Sequence, residues 1–194
     1  MTMEAIKRDL LASAQLVQSI AESDLILSRV DSVAQACVRC LREGGKLLFA
    51  GNGGSAGDSQ HMAGEFVSRF NYDRPGMAAI ALTVDSSILT AIGNDYGYDY
   101  VFARQVEALG QRGDIFFAYS TSGNSPNILR ALSVCRERGL FAVGLTGNRG
   151  GSMNGLCDVL FEMPSAQTPR IQEGHLIIGH AICAQVEALM YPRH

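Results

Sequence analysis

The sequence predicts an α/β protein, a three-layer αβα arrangement in which a parallel sheet lies between helices, with further helices ahead of it. Three observations carry this. Short apolar runs, each too short for a buried helix, recur along the chain. Each run ends in a loop of small polar residues, and most of those loops open a stretch of helical periodicity.

The elements follow in order. Ile6, Leu10, Ala14, Val17 and Ala21 recur at helical spacing, as do Val30, Val33, Ala34, Cys37 and Leu41. The first forty or so residues therefore read as helix, stopped by Gly44-Gly45. KLLFA (46–50) then leads into GNGGS, AAIALT (78–83) into VDSS, and IFFAY (115–119) into STSGNS. FAVGL (141–145) leads into TGNRGG, and DVLFEM, from Asp158, into PSAQTP. A last helix runs from about Arg170 to Met190. No internal repeat, low-complexity segment or linker interrupts the series.

At 194 residues the chain is expected to be one domain, 1–194, with residues 1–43 forming the N-terminal helices. Apolar residues make up 47%, enough for a sizeable core. A net charge of −3 gives no electrostatic reason to expect nucleic acid as a partner. No apolar run reaches the length of a membrane span, so no membrane partner is expected. MTMEAIKRDLLASAQ scatters charges through its apolar positions, unlike a signal peptide. Cys37, Cys40, Cys135, Cys157 and Cys183 form no disulfide framework. The C-x-x-C at Cys37 and Cys40 lies in a helical pattern without a second pair and reads as reduced core cysteines. A cytoplasmic protein is therefore expected.

In open parallel sheets, ligands sit at the carboxyl ends of the strands. GNGGS (51–55) and STSGNS (120–125) both follow strands directly, which places them on one sheet edge. GNGGS lacks the spacing of a dinucleotide fingerprint and the lysine of a P-loop. It remains a loop whose N–H groups can face a ligand, with Ser55 placed to cap the next helix. Ser120, Thr121, Ser122 and Ser125 crowd four hydroxyls into six residues, and Pro126 suits the first position of a helix capped by Ser125. An ordinary strand-to-helix turn would also use these residues, but the density of hydroxyls favours a neutral phosphate cradle. With no basic residue in either loop, the ligand class is a monoester on a small molecule.

His61 and Glu65 are i, i+4 and share a helix face. Met62, Phe66, Val67 and Phe70 supply an apolar stripe on another side. In 170-RIQEGHLIIGH-180, Gln172 and His180 stand roughly 80° apart around a helix. Spacing alone favours blander readings: a solvated face for His61 and Glu65, and a hydrogen-bonded core histidine for His180. His175 reads as structural, and His194, a terminal residue, as disordered.

Taken together, GNGGSAGDSQHMAGE (51–65), DRPG (73–76), LTAIGNDYGY (89–98), STSGNSPN (120–127), LTGNRGG (145–151) and RIQEGH (170–175) with His180 make the whole chain resemble the phosphoheptose isomerases of the sugar isomerase (SIS) superfamily. The resemblance implies a five-stranded parallel sheet and a homotetramer with active sites at subunit interfaces. It implies conversion of sedoheptulose 7-phosphate to D-glycero-D-manno-heptose 7-phosphate for heptose or lipopolysaccharide core synthesis. By the same resemblance, Ser55, Ser120, Thr121, Ser122 and Ser125 would hold the phosphate. Asn52, Gly53, Gly54, Asn94 and Asp95 would line the sugar, with Glu65 and Gln172 also touching substrate. His61, Glu65, Gln172 and His180 match positions for one zinc ion per subunit, and Glu65 and His180 match the acid–base pair. One departure is visible: some members carry an acid just before R-I-Q-E, where this chain has Pro169.

The chemistry suits these residue types. Moving a proton between C1 and C2 through an enediolate needs a carboxylate base and a shuttle between two oxygens, within reach of Glu65 and His180. Two alternatives remain. A non-catalytic SIS protein that binds the replication initiator is similar in length and in both loops, but lacks counterparts of Glu65 and His180. An isomerase or sensor of another sugar phosphate is compatible with loops that read phosphate rather than chain length.

Overall fold

The computed structural model of the chain describes residues 2–193, so the expectation for His194 lies outside the described residues. Two helices of 19 residues come first, α1 (Met3–Ala21) and α2 (Asp24–Arg42), each with a side-chain cap, Thr2 and Ser23. Then follow β1 (Leu47–Gly51), α3 (Gly54–Val67), β2 (Ala79–Ala81), α4 (Ser86–Tyr96), a 3-10 turn (Tyr98–Tyr100) and α5 (Ala103–Leu109). The chain continues through β3 (Ile115–Tyr119), α6 (Pro126–Arg138), β4 (Phe141–Thr146), a second 3-10 turn (Gly151–Met153), β5 (Val159–Glu162) and α7 (Thr168–Met190).

The five strands form one sheet in the order β2-β1-β3-β4-β5, every neighbouring pair parallel. Parallel strands with both faces covered read as unbroken apolar runs, which is why LLFAG and IFFAY are buried throughout. Their alternation divides the core in two. Leu47, Phe49, Ile115, Phe117 and Val143 face α1, α2, α3 and α7, while Leu48, Ala50, Phe116, Ala118 and Ala142 face α5 and α6.

Several expectations are corrected. The stripe Ile6, Leu10, Ala14, Val17, Ala21 does mark a helix, but it points outward, with Leu10 65% exposed. Only Leu16 and Ile20 of α1 are buried, because α1 lies on α2 and α7 along the opposite face. The stripe of α2 does face inward, and Cys37 and Cys40 are buried and free. Val67, expected in an apolar stripe, closes α3 in an exposed position, and Phe70 lies beyond the helix end.

Candidate active site

The site begins with strand register. Gly51 of β1 pairs with Tyr119 of β3, so the loops that follow them leave the sheet side by side. Gly53, not Ser55, is the N-cap of α3. Its φ of 57° with ψ of −121° is open to glycine alone, and no side chain caps the helix. Ser55 falls inside the first turn and is buried.

Across the edge Ser125 is the N-cap of α6, with Pro126 in the first turn. Its hydroxyl does not turn back to cap the helix. It meets the hydroxyl of buried Ser120 at 2.8 Å, while Ser122 Oγ accepts from the Asn124 N–H at 3.1 Å. Asn52 is fixed by a reciprocal amide pair with Asn127, at 2.9 and 2.8 Å, and its Oδ1 also accepts from the Tyr98 hydroxyl at 3.2 Å. Asn94 and Asp95 lie exposed near the end of α4 and bond each other at 2.8 Å; no hydrogen bond joins them to either loop. Thr121 and Ser122 also line a cavity of about 420 Å³ with Asn124, Asn148, Arg149 and Ile171.

The second part is built by α3 and α7. His61 Nε2 stands 3.4 Å from Glu65 Oε1 and 2.8 Å from His180 Nε2, although 119 residues separate the two histidines. Ligand atoms of all three lie within 4.8 Å of one another. His61 is exposed, while Glu65 and His180 are half-buried, with the Phe70 ring against His180. Burial lowers the pKa of His180, and neighbouring His61 lowers it further against the opposing pull of Glu65. A contact of 2.8 Å between ring nitrogens requires either one shared proton or one shared cation. Two imidazoles and a carboxylate suit zinc: a tetrahedron with zinc–nitrogen bonds of about 2.0–2.1 Å has edges of about 3.3 Å, which the His61–Glu65 separation matches, while the two histidine nitrogens would have to move apart by about half an ångström.

Gln172 does not join the three here. Its amide lies over Gly54, in the space a Cβ there would take. Eight residues of helix rise about 12 Å, so a shared angular sector does not bring Gln172 level with His180. Pro169 sits exposed in the first turn of α7.

The SIS-domain family profile matches residues 11–147. A phosphoheptose isomerase of Burkholderia pseudomallei (strain 1710b) is 59% identical over 178 residues, covering 91% of this chain and 90% of that protein. One from Aneurinibacillus thermoaerophilus is 53% identical, covering 96% and 94%. The solved phosphoheptose isomerase of Francisella tularensis superposes with a TM-score of 0.91 at 36% identity, over 96% of this chain and 98% of that one. That from Neisseria gonorrhoeae gives 0.87 at 41% identity, over 95% and 98%. This chain belongs to the phosphoheptose isomerase family of SIS-domain proteins. It is an aldose–ketose isomerase by that membership, with the fold the family implies.

For this isomerase the structure adds residues that sequence reasoning passed over. Asn127 and Tyr98 fall inside quoted motifs but show their roles only through contact with Asn52. Arg149 makes no ion pair among the described residues and borders the hydroxyl loop from the turn after β4. Asp58 keeps one buried carboxylate oxygen without a partner, and burial raises its pKa against the pull of His61. The i, i+3 spacing of Asp58 and His61 was the available signal.

Proposed function

We propose that this protein interconverts sedoheptulose 7-phosphate and D-glycero-D-manno-heptose 7-phosphate, supplying heptose for lipopolysaccharide core or a related glycan. The observation that carries the reading is the gathering of His61, Glu65 and His180 on the two helices beside the hydroxyl loops. A phosphate end and a carbonyl end are thereby provided for one substrate.

Ser55, Ser120, Thr121, Ser122 and Ser125, with the N-terminus of α6, hold the phosphate without a full counter-charge. Asn52, Gly53, Gly54, Asn94 and Asp95 line the sugar, and Gln172 reaches it from α7. Glu65 removes the proton from C1 of the ketose and returns it to C2, while His180 passes a proton between the oxygens on those carbons. His61, Glu65 and His180 would hold one zinc ion per subunit; Gln172, the fourth position the resemblance implies, lies about 12 Å along α7 from His180 and does not reach them in this arrangement. When bound, that ion supplies Lewis-acid stabilisation of enediolate charge.

The outward stripe of α1, with Met3, Ile6, Leu10, Leu11 and Val17 exposed, supports a homotetramer whose sites lie at subunit interfaces. Residues 1–43 then serve assembly within a single SIS domain. Five free cysteines support a cytoplasmic location. NMR of the purified protein with sedoheptulose 7-phosphate, with and without added zinc, tests the activity. No aldose signal under either condition would overturn it.

A further inference from the structure

We infer that Arg74 and Glu187 form a buried clamp that positions the zinc-binding and proton-transfer groups by fixing the end of α3 against the face of α7 that carries His180. The inference rests on the reading of His61, Glu65 and His180 given above, and it assigns a role to the DRPG segment.

Arg74 is 1% exposed at its side chain and Glu187 is 0% exposed. Every nitrogen of the guanidinium is used. Nε donates to Glu187 Oε1 at 3.1 Å, and Nη2 to the main-chain carbonyl of Glu65 at 2.7 Å. Nη1 donates to the carbonyls of Phe66 at 2.6 Å, Ser68 at 3.1 Å and Pro75 at 3.1 Å. The last turn of a helix leaves its carbonyls without partners. Arg74 takes the carbonyl of Glu65 itself and shares that of Phe66 with the Met77 N–H, which donates to it at 3.0 Å. Glu187 meanwhile accepts from the N–H groups of Phe70 at 3.0 Å and Asn71 at 2.8 Å. Burial works against its charge, but those two donors and Arg74 together hold its carboxyl below the usual range. Glu187 lies two helical turns beyond His180, on the same side of α7. The chain from Glu65 carbonyl to Arg74 to Glu187 to α7 thus spans the two helices that bring His61 and Glu65 to His180.

A buried ion pair is a poor device for stability alone, since apolar residues of similar volume serve as well or better. Its directional hydrogen bonds make it a good device for fixing one helix relative to another. Outer partners that orient metal ligands have effects of roughly 10- to 100-fold on metal affinity or activity when removed.

The test uses Arg74→Lys, which keeps the charge and loses the fork, and Glu187→Gln, which keeps the shape and loses the charge. Should either fail to fold, Glu187→Asp carries the same measurements. Zinc affinity of the metal-free protein is measured by competition with a chromophoric chelator. The visible spectrum of the cobalt-substituted protein reports ligand geometry, and kcat and KM are taken well below each Tm. We expect zinc affinity and kcat to fall roughly 10- to 100-fold, an altered cobalt spectrum, and KM nearly unchanged. Variants with a lower Tm but wild-type zinc affinity, cobalt spectrum and kcat would reduce the pair to a structural ion pair and overturn the inference. His180→Gln in the same series separates the two readings. If it too keeps zinc and rate, the reading of the site fails, and the clamp with it. If it loses both while the Arg74 and Glu187 variants keep them, the clamp alone fails.

Discussion

The two parts of the site are built in opposite ways. The hydroxyl loops are local: each is a few residues long, follows its own strand, and is placed beside the other by one register, Gly51 against Tyr119. The His61, Glu65 and His180 group is distant: it exists only where α3 and α7 meet, and its two histidines are 119 residues apart in the chain. The difference teaches that loop chemistry follows from a strand ending, whereas a ligand group on two helices depends on how those helices are held.

The largest expected effect lies in the distant part. Glu65→Gln and His180→Gln should each cost about 10²- to 10⁴-fold in turnover while the fold persists, as for loss of a positioned acid or base. Both should also lose metal, and added zinc should rescue neither fully. Solvent deuterium exchange at the substrate C1 decides the role of Glu65: exchange at the wild-type rate in Glu65→Gln would remove it as the base.

His175 belongs to neither part and sharpens the contrast. It lies fully buried on α7 between Gln172 and His180, its ring against the edge of Tyr119, with both nitrogens unpartnered. Burial lowers its pKa from 6.5 to about 4. The unfolded chain then takes up a proton below about pH 6.5 that the folded chain refuses until about pH 4. This depressed base therefore favours unfolding progressively as pH falls through that window, by up to about 3 kcal/mol, and has no effect above it. Chemical denaturation from pH 7 to 4 should show the loss, and His175→Gln should flatten it while changing turnover little. An equal slope in that variant would assign the acid sensitivity elsewhere.

In the local part, Ser120→Ala and Ser122→Ala should raise KM for the sugar phosphate, each removing a hydroxyl donor worth roughly 1.5–3 kcal/mol to a charged acceptor. Steady-state kinetics with KM unchanged in both would refute the phosphate cradle. Smaller still is the effect expected of Arg149→Ala, a modest rise in KM that shrinks with added salt, because the side chain is exposed and screened. Leu10→Glu should leave kinetics per folded site to depend on assembly. Light scattering should show a smaller particle than the wild type gives if the proposed tetramer forms, and a monomeric wild type would remove the interface site altogether.

Much of this was legible in the sequence. Both loops and the strands before them could be read because an apolar run that stops at small polar residues has few structural outcomes. Helical spacing showed that His61 and Glu65 share a face, but by itself it favoured a solvated face over a ligand pair. The arrival of His180 beside them came from the family motifs rather than from periodicity, and Gln172 shows why: angle around a helix ignores rise along it. Ser55 as a cap failed because Gly53, at a positive φ that glycine allows, caps α3 two residues earlier.

The α/β alternation, the parallel sheet, the glycine-rich and hydroxyl-rich loops and the two N-terminal helices follow from the sequence alone, since each depends on local periodicity and turn chemistry. Only the tertiary structure decided which stripe of α1 faces outward, that Asn127 and Tyr98 hold Asn52, and that Arg74 reaches across to Glu187. Those outcomes depend on buried contacts between residues far apart in the chain. A helical stripe records that a face has a partner, while the partner itself is chosen by how the whole domain packs.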